Sequence, residues 1–191
     1  MWTIKKSYEF NYGHRLWNQE LESDFSLSSE CKCRYLHGHT VSIEVSLSGD
    51  ELTRGMITDF NHLNWLKEWI AENIDHKFIM DKKDPLYFSL FCDDVMGQKM
   101  DSLVEMKEDK MGSVICVGSN REGGRYTLED SVPHIVEYYE SFYFVDFPPT
   151  SENLAKWIFD FVKKKMKPLN VKVEQVSWKE SPKSVAIYKG E

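Results

Sequence analysis

The chain is poor in cysteine, with 4 among 191 residues. Cys31, Cys33, Cys92 and Cys116 are too few for a disulfide-stapled scaffold, so a reducing, cytoplasmic setting is expected. There is no long apolar run: nothing approaches the roughly 18 residues of a membrane span, and the Met1–Lys6 stretch is not expected to act as a secretory leader. Internal repeats and low-complexity tracts are also missing. Basic residues are in the minority, 24 against 31 acidic, for a formal charge of −7. A nucleic-acid partner, which calls for a basic face, is therefore excluded. Aromatics are not scarce. They make up 14% of the chain within a hydrophobic fraction of 41%, enough to bury a real core and to exclude global disorder.

The acidic excess is local. Residues 81–140 carry 13 acidic and 7 basic side chains, and the remainder is close to neutral, so an anionic ligand elsewhere is not excluded. This stretch also holds Asp93-Asp94, Met96-Gly97, a polar run from Met106 to Gly112, and Gly123-Gly124. It reads as an elaborated insertion with short elements such as Ser113–Val117, inside a single domain.

Trp2, Ile4, Tyr8, Phe10 and Tyr12 alternate with mostly polar neighbours, and Val41, Ile43, Val45 and Leu47 do so more cleanly. Period-two alternation predicts half-buried strands, paired antiparallel. Asp59 or Asn61 can cap a helix whose apolar stripe is Leu63, Leu66, Trp69 and Ile70. A second helix is expected from Ser151, after Pro148-Pro149, burying Leu154, Trp157, Ile158, Phe161 and Val162 and ending at Pro168. Val171–Trp178 reads as one strand whose parity switches between Val173 and Val176, the mark of a bulge. Ser184–Tyr188 is a last strand. The order β-β-α, insertion, α-β-β indicates an α+β fold with an antiparallel sheet and helices on one face.

Three histidines stand out. His37 and His39 flank Gly38 at the start of the second strand, and residues i and i+2 point to the same side. Both share parity with Val41 and Val45, and His14 shares parity with Phe10 and Tyr12. A single inward histidine is ordinarily a core residue bonded to a carbonyl. Three at matching parity can converge, and three imidazoles with a fourth position open is the arrangement of catalytic zinc. Cys33 lies four residues before His37 and Cys31 six before. The pair could be sulfur ligands of a structural zinc, or one thiolate near the metal could act as a proton acceptor, or both could be unreactive loop residues. Asp75-His76 could form an acid–base relay, but only across a turn. Glu180 could bridge adjacent N–H groups of a heterocycle, or be a solvated turn residue.

Six ordered segments resemble the 6-pyruvoyl-tetrahydropterin synthase and 6-carboxytetrahydropterin synthase family. They are Phe10–Leu16, Cys33–His39, Gly55–Phe60, Ile74–Lys77, Pro149–Asn153 and Lys179–Ser181, followed by the tail Ala186–Glu191. Gly13 departs from the usual Ala or Ser before the first histidine. The resemblance covers residues 1–80 and 146–191, leaving 81–145 as the insertion.

It implies the tunnelling fold, β-β-α-α-β-β, and a homo-oligomer, commonly a hexamer, with sites between subunits. It implies Zn2+ held by His14, His37 and His39, Cys33 as catalytic base, and Asp75 with His76 as a second relay. Glu180 is implied as the pterin anchor, with Thr150 and Ser151 lining that pocket and Arg15 a reasonable triphosphate partner. The implied reaction is that of a lyase on 7,8-dihydroneopterin triphosphate. In the carboxy branch, which feeds queuosine-type 7-deazaguanines, three residues separate the cysteine from His-Gly-His, as for Cys33. In the pyruvoyl branch five do, as for Cys31. The expectation is the carboxy branch; alternatives are the pyruvoyl branch and a non-catalytic pterin-binding relative.

Overall fold

The computed structural model describes residues 1–91, 104–109, 111, 113–118, 121–122, 125–126 and 132–190. The Asp93-Asp94, Met96-Gly97 and Gly123-Gly124 patterns lie outside the described residues. In chain order the elements are β1 (Trp2–His14), β2 (His37–Gly49), α1 (Asn64–Asn73), β3 (Lys77–Asp81), α2 (Pro85–Phe91), β4 (Val104–Glu108), β5 (Val114–Gly118), β6 (Arg121–Glu122), β7 (Arg125–Tyr126), α3 (Val132–Glu140), β8 (Phe142–Val145), α4 (Ser151–Met166), β9 (Lys172–Ser181) and β10 (Ser184–Lys189). They fall into two compact units, one made of Met1–Tyr12, Gly38–Asp75 and Thr150–Glu191, the other of Gly13–His37 and His76–Pro149.

In the first unit the strand order runs β10-β9-β2-β1. The alternation of β1 does what period two demands: Tyr8, Phe10 and Tyr12 are buried while Ser7, Glu9 and Asn11 are exposed. On β2 the residues Val41, Ile43, Val45 and Leu47 are all at most 1% exposed. β9 pairs antiparallel with β2, and the register jumps so that Ser46 faces Gln175 while Leu47 faces Val173. Glu174 is therefore the extra residue of a bulge, at the place where apolar parity changes. Below the sheet, α4 packs Leu154, Ala155, Ile158 and Val162 out of solvent and contacts β9 and β10. Thr150 caps α4, its side chain accepting from the Asn153 N–H, and Asn170 (φ 53°) turns the chain after Met166. Asp59 caps the 3-10 turn that leads into α1, accepting from Asn61 N at 2.7 Å. Trp69 of α1 meets Trp157 and Phe161 of α4 edge-on, with ring centres 5.5 and 5.4 Å away.

In the second unit the order runs β3-β8-β5-β4. β3 is parallel to β8, β5 is antiparallel to both β8 and β4, and Val114 lies opposite Phe144. The short element expected at Ser113–Val117 is β5, and it pairs with β8. β3, α2 and α3 were not expected. Phe78-Ile79-Met80 is a short unbroken apolar run, for which periodicity gives no signal, and α2 and α3 have 7 and 9 residues. Their packing explains them: Met80, Val136, Tyr139, Phe142 and Phe144 form one buried cluster with Leu86 and Tyr87 against it. Among the described residues no helix is long and apolar enough to cross a membrane.

Candidate active site

The three histidines expected to converge do so. One ring-nitrogen atom from each of His14, His37 and His39 lies within 4.8 Å of the others, and this is the one metal-capable group of His, Cys, Asp and Glu side chains among the described residues. His14 and His37 have ring centres 4.5 Å apart. The parity argument holds because β1 delivers His14 on the same face as Tyr8, Phe10 and Tyr12, while β2 delivers His37 and His39 two residues apart.

Two of the rings are oriented by the backbone. His14 Nδ1 is 2.8 Å from the Pro149 carbonyl and His37 Nδ1 is 2.8 Å from the Tyr35 carbonyl. A carbonyl oxygen only accepts, so each Nδ1 carries a proton, and Nε2 is the ring nitrogen that a metal would take. That is how a metal-ligating histidine is normally held. The donor set fits a zinc ion: three imidazole nitrogens for a metal of tetrahedral preference, with one position left for a fourth ligand. Among the described residues no cysteine belongs to the group.

Neither cysteine is in a disulfide, and the two differ in access: Cys31 is buried and Cys33 half-buried. Cys33 opens the way from a 3-10 turn (Lys32–Arg34) into β2. Its carbonyl accepts from Leu16 N at 2.8 Å, tying the residues after His14 to those before His37.

Asp75 and His76 sit at the junction of α1 and β3. His76 has φ 60°, so the chain does turn there, in the left-handed region that histidine tolerates better than most residues. Asp75 accepts from Asn11 N at 3.0 Å through Oδ1, which fixes its carboxylate beside β1. His76 is exposed.

Glu180, near the end of β9, is half-buried and not a solvated turn residue. Its Oε1 is 3.4 Å from the Tyr12 hydroxyl and 3.7 Å from His39 Nε2. Burial, and then the charge of Glu180, hold the Tyr12 phenol well above its ordinary pKa, so it remains a donor to that carboxylate. Tyr12 also meets Trp178 edge-on at 5.3 Å and His39 at 5.9 Å. Sequence reasoning used Tyr12 only as a parity marker. Its hydroxyl on a residue two before a candidate ligand was the available signal.

Thr150 and Ser151 are half-buried at the start of α4, and Thr150 Oγ1 is engaged as the cap. Arg15 lines a cavity of about 640 Å³ together with Arg34, Tyr35 and Glu30. Its Nε is 2.9 Å from Asp84 Oδ2, a carboxylate 1% exposed. Asp84 was not anticipated.

The family described as 6-pyruvoyl tetrahydropterin synthase matches residues 3–191. The 6-carboxy-5,6,7,8-tetrahydropterin synthase of Aquifex aeolicus is 31% identical over 202 aligned positions, covering 100% of this chain and 99% of that one. A crystal structure of an uncharacterized protein from Wolinella succinogenes superimposes with a TM-score of 0.84 at 41% identity, covering 100% and 98% of the two chains. The 6-pyruvoyl tetrahydropterin synthase of Caenorhabditis elegans shares the fold, with a TM-score of 0.52 at 21% identity over 99% and 95%. The α+β tunnelling fold expected from the ordered motifs is the fold this chain has. A match across residues 3–191 makes the chain a member of the 6-pyruvoyl tetrahydropterin synthase family.

Proposed function

We propose that this chain is a zinc-dependent 6-carboxy-5,6,7,8-tetrahydropterin synthase, a lyase that converts 7,8-dihydroneopterin triphosphate and water to 6-carboxytetrahydropterin, acetaldehyde and triphosphate. The observation that carries the reading is the convergence of His14, His37 and His39 in a chain whose full-length relative from Aquifex aeolicus bears that name. Bound zinc would act as a Lewis acid toward the side-chain hydroxyls of the substrate, acidifying the hydrogens on the carbons that carry them. Cys33, half-buried where Cys31 is buried, takes a proton from one face. Asp75 and His76 exchange a proton on the other. Glu180 accepts from adjacent N–H groups of the pterin, with one oxygen steadied by Tyr12. Ser151 and the hydroxyl hydrogen of Thr150 are left to the substrate, because Thr150 Oγ1 already accepts from Asn153 N. Arg15 is assigned to the triphosphate.

The same reading makes residues 1–191 a single tunnelling-fold domain, with a core of 1–80 and 146–191 and an insertion at 81–145. It also makes the enzyme a cytoplasmic homo-oligomer, a hexamer, whose sites lie between subunits and supply a precursor of 7-deazaguanines. The test is metal analysis followed by incubation with 7,8-dihydroneopterin triphosphate. One zinc per chain, with 6-carboxytetrahydropterin and acetaldehyde by mass spectrometry, is expected. A pyruvoyl product would transfer the assignment to the 6-pyruvoyl branch, where Cys31 has the matching spacing. Tight binding without turnover would leave a pterin-binding relative.

A further inference from the structure

The residues that follow His14 are anchored one after another. Arg15 Nε lies 2.9 Å from Asp84 Oδ2, Leu16 N donates to the Cys33 carbonyl at 2.8 Å, and Trp17 Nε1 donates to Asp81 Oδ2 at 3.3 Å. Asp81 and Asp84 are each 1% exposed. Both carboxylates are pinned by their own turn: Asp81 Oδ1 accepts from Lys83 N at 3.0 Å and Asp84 Oδ1 from Leu86 N at 2.9 Å. The Arg15–Asp84 contact is an ion pair rather than an aligned hydrogen bond, since Nε and Oδ2 meet at the wrong angle for one. Its attraction is therefore Coulombic, and it holds a position more than a direction.

A buried carboxylate is a poor stabiliser. Desolvating it is costly, and an apolar pair of the same volume commonly does as well or better. Buried ion pairs earn their place best by fixing register, and the residue whose register this one fixes is the immediate neighbour of His14. On its other side His14 is held through Nδ1 by Pro149. We propose that Asp84 is a positioning residue for His14: acting through Arg15, it sets the end of β1 so that the imidazole stands ready for the metal. This rests on the reading of His14, His37 and His39 as zinc ligands. It also gives a role to one carboxylate of the acidic stretch that the ordered motifs leave unexplained.

The test is zinc affinity, measured by competition with a chromophoric chelator on metal-stripped full-length protein, well below the unfolding temperature. Groups that orient a metal ligand typically change affinity about 10–100-fold when removed. Asp84→Asn is expected to weaken zinc binding at least about tenfold. Val136→Ala, which thins the core around β3 without touching Arg15 or His14, should lower the unfolding temperature and leave zinc affinity within about twofold. Equal losses in the two variants would reduce Asp84 to a stabilising residue and overturn the proposal, as would wild-type affinity in Asp84→Asn. Should Asp84→Asn fail to fold, Arg15→Met/Asp84→Leu keeps the volume filled. There a loss of about threefold or more supports the proposal, and unchanged affinity overturns it. If the wild-type protein itself binds no zinc, the metal reading has failed, and the two failures are distinct.

Discussion

Gly13 and Phe78 compete for one volume: a Cβ on Gly13 would stand 2.6 Å from Phe78 Cδ2 and 3.3 Å from the His37 carbonyl. The missing side chain therefore lets β3 approach the end of β1 beside two of the three histidines. The Phe78 ring accounts for a glycine at this position. Gly13→Ala is expected to destabilise by about 1–3 kcal/mol, the usual cost of overpacking. For a chain of this size that is roughly 2–12 °C in unfolding temperature. Gly13→Ala/Phe78→Leu should recover most of the loss. Calorimetry checks both, and a Gly13→Ala protein as stable as wild type would show that the ring simply moves aside.

Cys33 and Cys31 separate by access, and activity should separate with them. Cys33→Ala removes the proposed base and is expected to lower kcat about 10²–10⁴-fold, the range of general acid–base contributions, with KM little changed. Cys31→Ala deletes a buried sulfur and should act mainly on stability, leaving kcat within a few-fold. Steady-state kinetics of the two variants in parallel decide the matter. Loss of activity in Cys31→Ala alone would reassign the base and favour the pyruvoyl branch.

Removing the metal should be reversible and visible without any assay of turnover. A ligand that binds only the folded state adds stability by mass action, about 2.7 kcal/mol at a free concentration one hundred times Kd. Dialysis against a chelator is expected to lower the unfolding temperature by several degrees, and zinc should restore it. In His37→Ala, which removes one of three nitrogens, added zinc should no longer raise it by the same amount. Equal unfolding temperatures with and without zinc in the wild-type protein would count against the site.

Much of the site could be read in the sequence because its signals are local. His37 and His39 are two apart on one strand, and parity with buried neighbours said which way they point. The bulge at Glu174 was readable for the same reason, as a change of parity within one strand. Contacts made by topology could not be read. Tyr12 and Glu180 are 168 positions apart, and nothing in either segment announces the other. The Pro149 and Tyr35 carbonyls that orient His14 and His37 are backbone groups and carry no residue signature at all. The charge of Arg15 is visible in the sequence, but its buried partner, Asp84, is not. The short elements β3, α2 and α3 were missed because they are too brief for a period to show, and their stability comes from packing on each other.

Alkaline pH should loosen the fold through its buried phenols. Tyr8 donates to the Leu63 carbonyl at 2.9 Å and Tyr143 to Asp109 Oδ2 at 2.5 Å. Burial raises the pKa of both above the ordinary value of 10.0, and for Tyr143 the hydrogen bond to Asp109 raises it further. Each phenol thus keeps its proton in the folded chain at a pH where the unfolded chain releases it. The unfolded state then binds fewer protons, so stability falls as pH rises. The contribution is fully present below about pH 10 and drains away above it, at about 1.36 kcal/mol per pH unit for each tyrosine. Lysines titrate in the same range, so the comparison is between variants. Tyr143→Phe should unfold more easily than wild type at pH 8, having lost its hydrogen bond, and should lose stability less steeply between pH 10 and 11. Tyr8→Phe should show the same flattening. Urea unfolding at half-unit steps from pH 8 to 11 measures both slopes, and a Tyr143→Phe slope as steep as wild type would mean that this phenol ionises as readily folded as unfolded.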